Sequence, residues 1–175
     1  MCRVKIPLPP IEVQREYVAA YQGLTKLIEE NEALLKSLEA TAQACVAECR
    51  EKWPLREVGD FIRFVREKNT DCRITLEQGI NIQKRFIAPQ RSNSNLSSRV
   101  IVRKGQFAYC TQLNNENVAI ALREGEDCVV SPVYSVFELT SLKILPEFLL
   151  LCLMRSEFGR YVYWASVGSA YEFFN

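Results

Sequence analysis

Apolar and small residues recur at alternating steps of four and three along the first third of the chain. Tyr17, Tyr21, Leu24, Ile28, Leu35, Leu38, Ala42, Cys45 and Cys49 lie on one stripe, with Asn31 as its polar interruption. Such alternation keeps one narrow seam on the same side of an α-helix over many turns. Pro9 and Pro10 precede the stripe, the next proline is Pro54, and only Gly23 between them disfavours helix. The pattern predicts one helix of roughly 40 residues from about Pro10 to about Glu51, or roughly 60 Å at 1.5 Å per residue. Glu29, Glu30, Glu32, Lys36 and Glu39 occupy the other positions and read as a solvated face, while Leu27 and Leu34 widen the seam on one side. A seam of this length needs a partner surface, because helices packed on their own domain run about 8–20 residues.

From Trp53 the periodicity shortens. The stretches "CRITL", "NIQKRFI", "RVIVRKGQFAYCT", "VAIAL" and "CVVSPVYSVFEL" are rich in β-branched and aromatic residues and are separated by Gly, Asn and Ser. They predict strands, with a turn at "RKG" and Pro132 at a strand start or edge. Pro146 then suits the first turn of a helix over "PEFLLLCLMRSEFGRYVYWAS", ending near Gly168. The expected fold class is α+β: a connecting tail over residues 1–9, a long N-terminal coiled-coil helix over 10–52, and a mixed α/β domain over 53–175.

Composition narrows the chemistry. With 175 residues and 48% hydrophobic content the chain supports one core plus an appended element, and its net charge of +1 gives no bulk attraction to polyanions. Seven scattered cysteines form no CxxC pair and histidine is absent, which excludes Ser-His and Cys-His nucleophile pairs within the chain. Cys45 and Cys49, one helical turn apart, are the nearest approach to metal-ligand spacing; reduced structural thiols and no metal are the expectation. The longest apolar run, Phe148 to Met154, is far short of the roughly 20 residues that span a bilayer. "MCRVKIPLPP" has no signal-peptide stretch, and with free cysteines the expected compartment is the cytoplasm.

Charge is segregated instead. Between Glu77 and Glu116 there is no acid, yet the interval holds Lys84, Arg85, Arg91, Arg99, Arg103 and Lys104. It also holds the carboxamides Gln78, Asn81, Gln83, Gln90, Asn93, Asn95, Gln106, Gln112, Asn114 and Asn115. Lys and Arg neutralise phosphates; Asn and Gln pair with adenine's major-groove edge, and Arg with guanine's. The candidate DNA-binding residues from this interval are Lys84, Arg85, Gln90, Arg91, Asn93, Asn95, Arg99, Gln112 and Asn114, with "PQRSNSNLSSR" as a base-reading loop. Lys84 and Arg85 are expected on phosphates, Asn93 and Asn95 on bases. No phosphate loop or cofactor-binding glycine turn is present, and Asp60, Glu67 and Asp71 read as solvated or capping acids rather than a catalytic pair. No catalytic residue is therefore expected.

The segment "IPLPPIEVQREYVAAYQ" resembles the start of the spacer helices of type I restriction-modification specificity subunits. In order after it, "ITLEQGINIQKRF", "VIVRKGQFAYCTQLN", "VVSPVYSVFEL" and "PEFLLLCLMRSEFGRYVYWASVGSA" resemble the landmarks of a target recognition domain of that family. The resemblance covers nearly the whole chain and implies that residues 53–175 read one half of a bipartite double-stranded target while the helix sets spacing. It implies docking to methyltransferase (modification) subunits, which carry S-adenosylmethionine, and indirect association with a motor-nuclease restriction subunit; no cofactor is expected on this chain. Ser169, in the "GSA" turn, joins the DNA-binding candidates on this ground, although Tyr171 and Glu172 stand where many members carry a basic residue. A full specificity subunit has two recognition domains, so the chain is expected to be a half or a fragment. In a half, Tyr17, Tyr21, Leu24, Ile28, Asn31, Leu35 and Leu38 are expected to form a homodimer seam. The rival readings are a helix-mediated protein scaffold without DNA binding, and an enzyme fragment using a thiol or a carboxylate pair.

Overall fold

A computed structural model describes residues 5–89, 95–112 and 118–166 of the chain. The chain divides into two compact units, residues 1–45 and 46–175.

The first unit is built on helix α1, Ile11–Lys52, 42 residues long. Pro10 stands just before it, where a missing N–H costs nothing, and its carbonyl accepts the amide of Gln14 at 3.1 Å. The Gln14 side chain turns back to the Pro9 carbonyl at 2.7 Å and fixes the entry. Thr25, Asn31 and Thr41 return their side-chain donors to the carbonyls of Tyr21, Leu27 and Ser37, four residues back. That satisfies polar groups on an exposed helix without an outside partner. The seam is exposed from Tyr17 to Leu38, with Tyr21 at 72% and Leu24 at 63%, while Ala42 and Cys49 are half-buried and the buried residue of α1 is Val46, where the second unit begins. Among the described residues no helix is long and apolar enough to cross a membrane.

The second unit opens with a 3-10 turn at Val58–Phe61 and continues through β1 (Ile62–Val65), β2 (Gly79–Ile80), β3 (Phe86–Ile87), β4 (Val100–Val102), β5 (Phe107–Cys110), β6 (Ile120–Leu122), β7 (Cys128–Val130), β8 (Tyr134–Leu139), α2 (Pro146–Leu153) and α3 (Ser156–Ser166). The central sheet has the order β1-β8-β5-β6 and is antiparallel throughout. β4 pairs with β7, and β2 with β3, as separate antiparallel ribbons.

Because side chains alternate across a strand, the central sheet has two different faces. Phe107, Tyr109, Ile120, Leu122 and Phe137 point to one side and pack with Leu149 and Leu153 of α2 and Val162 of α3. Phe107 and Phe137, opposite each other in register, stack at 4.9 Å. Ala108, Ala121 and Val136 point to the other side, where small side chains admit the β4–β7 ribbon: Val100, Val102, Cys128 and Val130 cover them. The result is helices, sheet and ribbon in three layers.

Several sequence expectations change on folding. "CRITL" forms no strand. Asn69, fully buried, donates to the carbonyl of Ile74 at 2.8 Å and accepts its amide at 3.3 Å, and Cys72 sits at φ +52°. The side chain thus satisfies the backbone that a ladder would otherwise hold. "NIQKRFI" is mostly turn, with strand only at Phe86–Ile87. Pro132 lies in the turn between β7 and β8, where the Tyr134 amide meets the Ser131 carbonyl at 3.0 Å. "RKG" does turn, with Gly105 at φ +87°. The C-terminal segment is two helices, not one, and the break at Met154–Arg155 lets Leu149 and Leu153 of α2 and Val162 of α3 share one core. β1 follows "FIRFV", a stretch that the apolar pattern does not single out.

Candidate nucleic-acid interface

The acid-free interval begins in the β2–β3 ribbon. Asn81 and Arg85 pair across its end, Asn81 donating its amide to the Arg85 carbonyl at 3.1 Å and receiving the Arg85 amide on Oδ1 at 2.9 Å. Ile82, Gln83 and Lys84 make the tip, with Lys84 in the left-handed region at φ +61°. Gln83 and Arg85 are exposed there.

Between this ribbon, the start of β4 and the β7–β8 turn lies a cleft of about 560 Å³, lined among others by Glu77, Asn81, Arg99, Ser131 and Tyr134. The Tyr134 hydroxyl accepts the Ile80 amide at 3.3 Å, which ties the ribbon to β8. Arg99 lines the cleft as an ion pair with Glu77, their side chains 13% and 7% exposed. Its Nε is buried and has no hydrogen-bond partner among the described residues. Neither Glu77 nor Tyr134 was legible as a site residue, since the fold brings them to Arg99 from 22 positions before it and 35 after it.

The sequence-predicted cations meet different fates. Arg103 is held by Glu67, with Nε to Oε2 at 3.1 Å, and by Asp127, with Nη1 to Oδ2 at 2.7 Å. These hydrogen bonds hold its guanidinium above the usual arginine range. Lys84 turns inward: its ammonium donates to the Leu153 carbonyl and lies 5.8 Å from the centre of the Phe158 ring, and burial lowers it to about 8. Arg85 and Lys104 are exposed; the Lys104 amide donates to Asp127 at 2.9 Å, but neither side-chain cation has a carboxylate partner among the described residues. Gln90, Arg91, Asn93, Asn114 and Ser169 lie outside the described residues.

Of the carboxamides, Gln78 and Gln106 serve the fold. Gln78 accepts from Arg123, whose guanidinium lies 5.2 Å from the centre of the Phe86 ring, and Gln106 donates to Glu138 at 2.9 Å. Asn95 folds its own loop, accepting the Ser97 amide at 3.0 Å and hydroxyl at 2.6 Å. Gln83 and Gln112 are exposed.

The acids and thiols that could serve catalysis are dispersed. Glu67 is committed to Arg103, and Asp71 pairs with Arg73 at 2.9 Å. Burial pushes the Cys128 thiol up to about 11 and raises Cys110 and Cys152, which disfavours the thiolate. The six described cysteines are free, and among the described residues no cluster of three potential ligands could hold a metal.

Carboxylates held below their ordinary values make stability depend on pH, and two of them lie on the sheet domain's strands and loops. The Lys104 amide and then Arg103 hold Asp127 below its ordinary value of 3.8; Arg63 and then Gln106 hold Glu138 below 4.5. A depressed folded-state value means stability that is present above the unfolded value and lost as pH falls through the folded one. Urea midpoints are expected to be level from about pH 7 to about pH 5 and to drop below about pH 4, and Arg103→Ala should make that drop shallower. An equally steep drop in the variant would show that Asp127 owes nothing to Arg103.

No family model and no curated protein sequence matches the chain. Among solved structures it is similar to a chain from "Structural basis underlying complex assembly and conformational transition of the type I R-M system", with 16% identity and a TM-score of 0.38. The match covers 85% of this chain and 42% of that one, so the chain spans less than half the length of that neighbour.

Proposed function

We propose that this chain is a non-catalytic reader of double-stranded DNA, recognising one half of a bipartite target as part of a type I restriction-modification specificity subunit. The observation that carries the reading is the acid-free interval after Glu77, part of which lines the cleft. Arg85, Lys104, Gln83 and Gln112 are exposed in that interval, and neither the Arg85 guanidinium nor the Lys104 ammonium pairs with a carboxylate among the described residues. Cations without internal partners are available to phosphates, and exposed carboxamides to base edges. Arg91, Gln90, Asn93, Asn95, Arg99, Asn114 and Ser169 remain proposed contacts, and the order of motifs along the chain supports the same assignment.

In this reading α1 is the spacer. Its exposed seam, Tyr17, Tyr21, Leu24, Ile28, Asn31, Leu35 and Leu38, docks a second helix, and in an isolated half that helix belongs to a second copy related by a two-fold axis. Methyltransferase subunits carrying S-adenosylmethionine dock on the assembly, and the restriction motor joins through them. The cytoplasm is the compartment this implies.

Fluorescence anisotropy with a labelled duplex pool, titrated at several salt concentrations, tests the proposal. Affinity is expected to fall with salt with a logarithmic slope of about 0.9 per phosphate contacted, and Arg85→Ala to lower that slope by about one contact. A flat salt response would overturn DNA reading and leave the protein scaffold.

A further inference from the structure

We propose that Lys84 is a positioning residue, a latch that fastens the tip of the β2–β3 ribbon to the end of α2 and so holds one wall of the cleft, and is not a phosphate contact. The inference rests on the DNA reading above only for what the cleft wall is for. The ribbon has two residue pairs, Gly79 with Ile87 and Ile80 with Phe86. A ribbon of that size does not hold itself together in water. Its anchors are the Tyr134 hydroxyl on the Ile80 amide, Arg123 over Phe86, and Lys84 at the tip.

Each part of the latch has a physical reason. The last carbonyls of a helix lack internal partners, and positive charge is favoured at that end. Lys84 supplies both to α2 by donating to the Leu153 carbonyl, and its ammonium lies against Phe158 of α3. The backbone at Lys84 is left-handed, φ +61°, at the point where the chain reverses. Ile82 and Ile87, on either side of the latch, both line the cleft, so the latch and the wall are one piece of chain. A lysine fixed in this way cannot also serve a phosphate without releasing the ribbon.

The experiment uses the full chain, with Lys84→Met, which keeps the apolar stem and loses the donor, Lys84→Arg, which keeps a cationic donor, and Arg85→Ala. Both replacements of Lys84 meet the same backbone cost at φ +61°, so their difference reports the donor. By NMR the Lys84 side-chain protons nearest the ammonium are expected upfield, shifted by the Phe158 ring, and to stay there when duplex is added. Amide exchange of Asn81, which donates to the Arg85 carbonyl, and of Ile87, paired with Gly79, should quicken at least about tenfold in Lys84→Met, recover in Lys84→Arg and be unmoved in Arg85→Ala. Duplex affinity should fall in Lys84→Met with an unchanged salt slope. Loss of the ring shift on adding duplex, a slope lowered by about 0.9, or unchanged exchange in Lys84→Met would each overturn the latch. Failure of any duplex to bind would count against the DNA reading alone, because the ring shift and the exchange rates in free protein still decide the latch.

Discussion

Glu77→Ala is expected to destabilise the second unit by about 3–5 kcal/mol, the usual result of stripping one partner from a buried ion pair. Arg99, whose side chain is 13% exposed, then loses the Glu77 carboxylate, and its Nε already has no partner among the described residues. Replacing both groups with apolar residues of similar size, Glu77→Leu with Arg99→Met, should recover most of that loss, since the desolvation of two charges disappears along with their attraction. Urea denaturation of the two single variants and the double variant measures the coupling. A loss below about 1 kcal/mol in Glu77→Ala would mean that the pair is not structural and that Arg99 is free to reach DNA. If the larger loss is found, weak binding by Arg99→Ala has to be read beside its stability, because the same side chain both lines the cleft and holds β4 to the segment before β2.

The long helix was legible because its signal is local and repeated: a stripe of three-four steps with prolines outside it fixes Ile11–Lys52 to within a residue or so of the predicted ends. The sheet was legible in its longer stretches, where β-branched and aromatic residues are buried on both faces, as at Val100–Val102 and Cys128–Val130. "CRITL" failed as a strand because the competing partner is the side chain of Asn69, which a propensity pattern does not see. The C-terminal helix broke in two because a shared core, not local preference, decides its path. The site was legible as composition and not as geometry. An interval without acids looks unpaired in one dimension, yet Glu67 and Asp127 reach Arg103 across 36 and 24 positions, and Glu77 closes on Arg99. Arg85 and Lys104 are the described cations of the interval that keep the property the sequence suggested.

Leu24→Lys and Leu35→Lys are each expected to weaken self-association of the chain at least about 100-fold. The argument begins from exposure: Tyr17, Tyr21, Leu24, Leu35 and Leu38 lie on one stripe of α1, and each is about half exposed or more. Burying one leucine contributes about 1.5–3 kcal/mol, and a two-fold axis counts every position twice. One substitution therefore removes about 3 kcal/mol or more from the dimer, and at 1.4 kcal/mol per tenfold that is a factor of about 100. Glu30→Lys, off the stripe, should leave association unchanged. Asn31 has a separate part: its side chain donates to the Leu27 carbonyl at 2.8 Å, which uses one of its two amide hydrogens and leaves the other, with the oxygen, for a partner helix. Asn31→Leu is thus expected to tighten association while admitting other registers, because a polar seam position fixes alignment at a cost in stability. Sedimentation velocity across a concentration series reads all four variants, and a wild-type chain that stays monomeric at every concentration would remove both the seam and the spacer role built on it.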